Sequence, residues 1–160
     1  MKAVEILREL VAIPTPSAAS NLSLLAWVTR YVEAKGWRAQ LFPYPDDGGV
    51  AKANLIGRPA SSPKVDSLID LAFICHTGTV PFAAKSATAL DFQTLGGYAH
   101  GCGACDVKGA LARFLAALNL LTPSQTNPNI ALILTATRKS AAREWSTSSQ
   151  QSACASVPPS

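Results

Sequence analysis

Leu68-Ile69-Asp70-Leu71-Ala72-Phe73-Ile74-Cys75 is an almost continuous apolar run, and the turn His76-Thr77-Gly78-Thr79-Val80-Pro81 follows it directly. A run of this length and composition is typical of a β-strand that is buried on both faces of a sheet. Residues 130–135 form a second run of the same kind. Helical patterns alternate with these strands along the chain. Together they predict an α/β layered fold with a largely parallel sheet.

The remaining elements are predicted from local patterns and end signals. Residues 3–12 are predicted as a helix, and Ser20 or Asn21 can cap a second helix that Gly36 ends. Strands are predicted over 37–42 and 53–57, with a turn-rich segment over 43–49. A hairpin is expected in the weakly patterned segment that runs to Gly97. Asp106 is predicted to cap a third helix with an apolar side formed by Val107, Ala110, Leu111, Phe114, Leu115, Leu118 and Leu121.

Composition excludes several classes of protein. The chain has 160 residues, is 48% hydrophobic and carries a formal net charge of +4, which fits one ordinary domain. Its basic residues are scattered, so we expect no nucleic-acid partner. No apolar stretch reaches the roughly 18 residues of a membrane span. The N-terminal helix is amphipathic and contains acidic residues, unlike a signal peptide, so we expect a cytoplasmic protein.

His76 and Asp106 are the candidate metal ligands. An imidazole where a buried strand ends and a carboxylate where a helix begins meet at the edge of an open α/β sheet, where such folds bind ligands. Taken singly, however, a histidine after a strand is most often a polar turn residue, and an aspartate before a helix is most often only an N-cap. Two ligands are also too few to hold a catalytic metal.

Cys102 and Cys105 form a Cys-x-x-Cys pair in a glycine-rich loop. Such a pair can be half of a zinc site or a redox couple. No second Cys-x-x-Cys or His-x-x-x-His pattern is present to complete a structural zinc site. We therefore expect free thiols, as in a reducing cytosol.

Four motifs in order carry a family resemblance: 10–17 (Leu-Val-Ala-Ile-Pro-Thr-Pro-Ser), 52–56 (Lys-Ala-Asn-Leu-Ile), 76–82 (His-Thr-Gly-Thr-Val-Pro-Phe) and 101–109 (Gly-Cys-Gly-Ala-Cys-Asp-Val-Lys-Gly). Over about residues 4–137 the chain resembles the N-terminal part of the co-catalytic zinc peptidases and deacylases. That family includes aminoacylases, succinyl-diaminopimelate desuccinylases and acetylornithine deacetylases, and the motifs look most like the last group.

The resemblance implies a fold, a site and a reaction. The fold would be the N-terminal part of a three-layer α/β/α zinc-hydrolase catalytic domain. His76 would bind one of two zinc (or cobalt) ions, Asp106 would bridge both, and Lys108 and Gly109 would shape the turn behind Asp106. The reaction would be hydrolysis of a small N-acyl amino acid, N-acetyl-ornithine, to ornithine and acetate in arginine biosynthesis. Intact members are homodimers.

The chain departs from the family pattern at two places. Gly78 stands where the family has an aspartate that helps to orient the histidine ligand, and loss of such support costs about 10–100-fold in metal affinity or activity. Where the family has Ala-Asp-Glu-Glu-Val-Gly-Cys after a strand, this chain has Ala136-Thr137-Arg138-Lys139-Ser140. The family's catalytic base and a further zinc ligand, both glutamates, are therefore missing here.

A one-base deletion near codon 137 would explain the second departure. Synonymous codons exist for 137–145 such that one added G before them encodes Asp-Glu-Glu-Val-Gly-Cys-Glu-Gly-Val. On this hypothesis 1–137 is a partial catalytic domain and 138–160, rich in Ser, Ala and Gln, is an out-of-frame, disordered tail. The family's dimerisation domain would be missing, and the sheet would expose strand edges and apolar surface.

We therefore assign no catalytic residue, keep His76 and Asp106 as metal positions with at most weak zinc or cobalt binding, and expect little hydrolysis by this chain. A dipeptide or a succinylated diamino acid is the alternative substrate. Two further alternatives are not enzymes. One is a fragment that binds a metal or a partner subunit without catalysis, and the other is an unstable product that is degraded.

Overall fold

The computed structural model describes residues 1–62, 69–82, 87–121 and 129–136. It contains three α-helices and six strands, which confirms a mixed α/β fold. The helices are α1 (Ala3–Ala12), α2 (Leu22–Glu33) and α3 (Lys108–Ala117). The strands are β1 (Trp37–Pro45), β2 (Ala51–Pro59), β3 (Leu71–His76), β4 (Gln93–Leu95), β5 (Tyr98–His100) and β6 (Ile130–Thr135), and a short 3₁₀ helix spans Ala87–Leu90.

The main sheet has the strand order β1-β2-β6-β3. β1 pairs with β2 and β2 with β6 in antiparallel fashion, and only β3 and β6 run parallel. The expectation of a largely parallel sheet is therefore wrong for the described residues. Apolar runs identify strands but carry no information on their direction, and here a β1–β2 hairpin supplies half of the sheet.

The β1–β2 hairpin is longer than predicted, because β1 continues to Pro45, into the segment 43–49 that was predicted as turn-rich. Pro43 and Pro45 lie inside β1, which is tolerable because β1 is an edge strand and needs fewer N–H donors. The turn itself is closed by Asp46, whose Oδ1 accepts hydrogen bonds from Gly48 N and Val50 N, both at 2.9 Å.

The three helices share one hydrophobic core with one face of the main sheet. Alternate side chains along β2 and β6 point into this core from the sheet. Helices α1 and α3 pack against each other and contribute to the same core. The buried sheet residues of this core are Trp37 at the start of β1, Ala53 and Leu55 in β2, and Leu132 and Leu134 in β6. One helical layer over a sheet is thus present in the described ranges, and the second layer of the expected α/β/α arrangement is not among them.

β3 lies at the edge of the described sheet. Leu71 is 62% exposed and Ile74 is 59% exposed, whereas the apolar run predicted burial on both faces. That expectation is wrong for these two positions. An apolar run shows that a strand can be covered, but the neighbouring elements decide whether it is.

The expected hairpin before the third helix is β4–β5, which turns at Gly96 and Gly97. Both glycines have positive φ, 57° and 82°, as a tight two-residue hairpin turn requires. Among the described residues, no helix combines the length and apolarity needed to cross a bilayer. The boundary at 137 and the tail predicted over 138–160 lie outside the described residues.

Candidate metal centre

The parallel pairing of β3 with β6 positions the candidate site. His76 is the last residue of β3 and lies opposite Thr135, the last residue of β6. The carboxyl ends of two parallel strands therefore meet at one edge of the sheet, where open α/β sheets place their ligands. His76 lies where its sequence context predicts it, at the exit of an apolar strand.

Asp106 approaches His76 from the loop before α3. Its Oδ1 lies 3.4 Å from His76 Nε2, although 30 positions separate the two in sequence. The Asp106–Val107 peptide bond is cis. The predicted N-cap position is wrong by one residue: α3 begins at Lys108, and Val107, not Asp106, occupies the N-cap position. The Asp106 carboxylate faces the imidazole instead.

The hydrogen bonds of His76 decide which ring nitrogen is available to a ligand. His76 Nδ1 donates to the carbonyl oxygen of Gly78 at 2.9 Å. Nε2 is buried and makes no hydrogen bond to any described residue. A neutral imidazole held in this way presents its Nε2 lone pair toward the Asp106 carboxylate. A nitrogen lone pair and a carboxylate oxygen facing each other are a donor set that suits zinc.

Two donors do not make a complete site. Among the described residues, no group of three or more His, Cys, Asp and Glu side chains could hold a metal ion. Cys102 and Cys105 thus do not join His76 and Asp106 in a cluster, and both are free thiols in the structure. Cys75, beside His76, is also free, and burial raises the pKa of its thiol to about 12.

The loop after α1 supports the turn that contains His76. Thr79 N donates to Thr15 O at 2.7 Å, Ser17 N donates to Thr79 O at 3.0 Å, and Pro16 forms a β-bridge with Thr79. In the sequence this loop stands out only as part of a motif. Its contacts show that it forms one wall beside the strand end.

Two buried lysines donate hydrogen bonds to backbone carbonyl oxygens of the same loop. Lys108 Nζ donates to Ile13 O at 2.7 Å, and Lys52 Nζ donates to Ser17 O at 2.9 Å and also to Ala19 O. Burial lowers the pKa of Lys108 to about 8, and the nearby Cys102 opposes that shift. The structural role expected for Lys108 fits these contacts.

Asn21 has a role that its sequence context does not reveal. It occupies the N-cap position of α2, as predicted, but its side chain makes no capping bond. Its Nδ2 donates to Ala53 O and to Thr77 Oγ1, at 2.8 and 3.0 Å, and its Oδ1 accepts from Ala53 N at 3.0 Å. Asn21 thereby ties α2 to β2 and to the residue after His76. Only its position before a helix is visible in the sequence.

Gly109 shows why the turn behind Asp106 needs glycine. A Cβ at this position would lie inside contact distance of the Ala104 carbonyl oxygen, which belongs to the loop that carries Asp106. Any larger residue would push the start of α3 away from that loop. The expected turn-shaping role of Gly109 agrees with this close approach.

Comparison with known proteins is consistent with this geometry. Residues 72–137, which include both candidate ligands, match the model of peptidase family M20/M25/M40. Over this segment the chain resembles peptidase family M20/M25/M40. Acetylornithine deacetylase of Myxococcus xanthus is 35% identical over 131 residues, which are 81% of this chain and 33% of that protein. The chain thus spans about a third of the length of the curated relative it matches.

Solved structures of peptidases share the fold. Human carnosine dipeptidase 1 superposes with a TM-score of 0.71 at 18% identity, over 88% of this chain and 32% of the dipeptidase. The di-peptidase Dug1p of Saccharomyces cerevisiae gives a TM-score of 0.67 at 15% identity, over 86% and 32% of the two chains. M20 members are hydrolases and generally depend on zinc, so the family and the facing His76–Asp106 pair point to the same kind of chemistry.

Proposed function

We propose that this chain carries part of the metal site of an amidohydrolase whose lineage releases acetate and ornithine from N-acetyl-ornithine. The observation that supports the proposal most is the buried, unbonded Nε2 of His76 facing the Asp106 carboxylate at 3.4 Å. The substrate is suggested by the Myxococcus xanthus relative, which is an acetylornithine deacetylase. A dipeptide is the alternative, since two of the similar structures are dipeptidases.

The residues of this chain fit one part of such a reaction. A zinc or cobalt ion, when bound, would supply Lewis acidity toward the amide carbonyl and lower the pKa of a bound water. His76 would hold it through Nε2 and Asp106 through its carboxylate. Gly109 and Lys108 would keep the Asp106 loop and α3 in place beside the strand end. No described residue is assigned as the general base, so we expect little hydrolysis by this polypeptide.

The metal role is tested by titrating the purified chain with Zn²⁺ or Co²⁺ in a calorimeter. We expect weak binding that His76→Ala and Asp106→Asn each abolish, and that His100→Ala, which alters the other histidine, leaves unchanged. Binding that survives both ligand variants would refute the assignment. Tight, near-stoichiometric binding by the wild-type chain would instead indicate a complete site.

Catalysis is tested separately with N-acetyl-ornithine, a dipeptide and a succinylated diamino acid in the presence of Zn²⁺ or Co²⁺. We expect no turnover above background with any of them. Metal-dependent release of ornithine well above background would show that the expected inactivity is wrong. Metal binding without turnover would instead favour the non-catalytic fragment.

We also infer a single-base deletion near codon 137. The family match runs to residue 137, and the residues that follow can be encoded so that one added base restores the Asp-Glu-Glu-Val-Gly-Cys motif. The gene sequence provides the test: one inserted base should open a long frame that begins with this motif. If no single insertion there does so, the inference is wrong. For the restored product we expect a cytoplasmic homodimer that hydrolyses a small N-acyl amino acid.

A further inference from the structure

The backbone around Gly78 takes part directly in presenting His76. The Gly78 carbonyl oxygen lies 2.9 Å from His76 Nδ1. A carbonyl can only accept, so Nδ1 must carry the hydrogen of this bond. In the neutral ring Nε2 then has the lone pair, and Nε2 is the atom that faces Asp106 at 3.4 Å. Glycine was expected to leave His76 without support, because it has no side-chain carboxylate. The structure supplies an acceptor from its main chain.

The turn is held on both sides of Gly78, so the direction of its carbonyl is well determined. Thr77 N donates to Thr135 O at 2.8 Å, and Thr77 Oγ1 donates to the same oxygen at 3.0 Å. On the other side, Thr79 N donates to Thr15 O at 2.7 Å. These bonds join the turn to β6 and to the loop after α1, and therefore to two elements that do not depend on the metal.

The space that a side chain at position 78 would need is already filled. A Cβ there would lie 2.8 Å from the carbonyl oxygen of Ala136 and 3.0 Å from Ser17 Oγ. The Ala136 contact is with backbone, and Asn54 Oδ1 accepts a hydrogen bond from Ala136 N at 3.2 Å. The neighbour therefore cannot move aside as the end of a flexible side chain could. Residue 78 can support His76 through its carbonyl only while it is glycine.

We propose that the Gly78 main-chain carbonyl is the group that holds His76 in the Nδ1–H tautomer and directs Nε2 to the metal position. Gly78 is a positioning residue, since it acts through His76. A carbonyl can serve this purpose because histidine ligands are oriented by backbone carbonyls as well as by carboxylates. The proposal rests on the proposed function only in taking His76 as a metal ligand.

The tautomer can be measured without metal or activity. Long-range ¹H–¹⁵N correlation spectra of the full ¹⁵N-labelled chain, recorded at about pH 8 where imidazole is neutral, distinguish Nδ1–H from Nε2–H. The chain has two histidines, so His100→Gln assigns the remaining ring to His76. We expect the Nδ1–H form for His76. An Nε2–H form, or an equal mixture of the two, would overturn the proposal whatever the variants do.

Variants at position 78 then test the link to the metal. We expect Gly78→Ala to disturb the tautomer preference and to weaken Co²⁺ binding by about 10–100-fold. Gly48→Ala is the matched control, since its added Cβ would make only an ordinary 3.4 Å contact, with Asp46 Oδ1. We expect Gly78→Asp to lose affinity as Gly78→Ala does, because both add the same Cβ. Unchanged tautomer and affinity in Gly78→Ala, or tighter binding in Gly78→Asp, would refute the positioning role.

The two proposals fail in different ways. An Nδ1–H tautomer with no detectable Zn²⁺ or Co²⁺ binding would remove the proposed function and leave the role of Gly78 in place. If metal binding depends on His76 but the ring is in the Nε2–H form, the proposed function stands and the role of Gly78 is refuted. If Gly78→Ala does not fold, the wild-type tautomer still decides the question.

Discussion

Replacing Lys108 with methionine should change how the stability of this protein depends on pH. Lys108 is 1% exposed, and its Nζ donates to Ile13 O at 2.7 Å. Burial lowers its pKa from 10.5 to about 8. Methionine preserves most of the packed stem and removes the ionisable group. Because the lost hydrogen bond and the lost charge burial act in opposite directions at neutral pH, the slope with pH tests the argument better than the stability at one pH.

The direction of the effect follows from proton counting. Below pH 8 Lys108 is charged in both the folded and the unfolded chain, and the cost of burying the charge is fully present. Between the folded pKa of about 8 and the unfolded pKa of 10.5, the unfolded chain binds more protons, so stability rises with pH. One proton contributes at most about 1.36 kcal/mol for each pH step of one, so the gain between roughly pH 8 and pH 9.5 is at most about 2 kcal/mol. Because folded Lys108 is still half protonated at its pKa of about 8, the expected gain is about 1.5 kcal/mol.

Urea unfolding at several pH values between about 7 and 9.5 measures this slope. The wild-type free energy of unfolding should rise relative to that of Lys108→Met across this range. Cys75 acts in the opposite direction above its ordinary pKa of 9.0, since burial raises its folded pKa to about 12, but it is common to both proteins and cancels in their difference. Lys35→Met, at an exposed lysine, is the control. Equal slopes in the wild type and Lys108→Met would refute the burial argument.

Two further predictions concern Asn21 and the thiols. Asn21→Ala should lower the free energy of unfolding by about 2–4 kcal/mol, because it leaves buried backbone groups of β2 without partners. The control is Asn129→Ala, which removes an exposed hydrogen bond to Asp70. It should lower the free energy of unfolding by under about 1 kcal/mol in the same urea titration. A loss below about 1 kcal/mol for Asn21→Ala would contradict the role assigned to its side chain. Alkylation at neutral pH, followed by mass spectrometry, should modify Cys105 well before Cys75, because Cys105 is exposed and burial raises the Cys75 pKa to about 12. Equal rates in the folded protein would contradict that difference.

Local sequence patterns indicated the elements and both candidate ligands. The helix over 3–12 and the strand over 130–135 are predicted at their observed bounds, since side-chain periodicity and end signals are properties of neighbouring residues. The position of His76 at the exit of a strand is predictable for the same reason. The family motifs implied that Asp106 bridges two metal ions, and they identified Gly78 as a departure. All of this information lies within short stretches of chain.

Tertiary structure alone decided the contacts between distant stretches. The direction of β6 relative to β2, the exposure of Ile74 and the hydrogen bonds of Asn21 depend on which elements become neighbours. The site shows the same division. Sequence placed a histidine and an aspartate 30 positions apart, but the fold brought them to 3.4 Å and turned the Gly78 carbonyl toward the imidazole. A backbone carbonyl is present in every residue, so no sequence pattern can show where it will point.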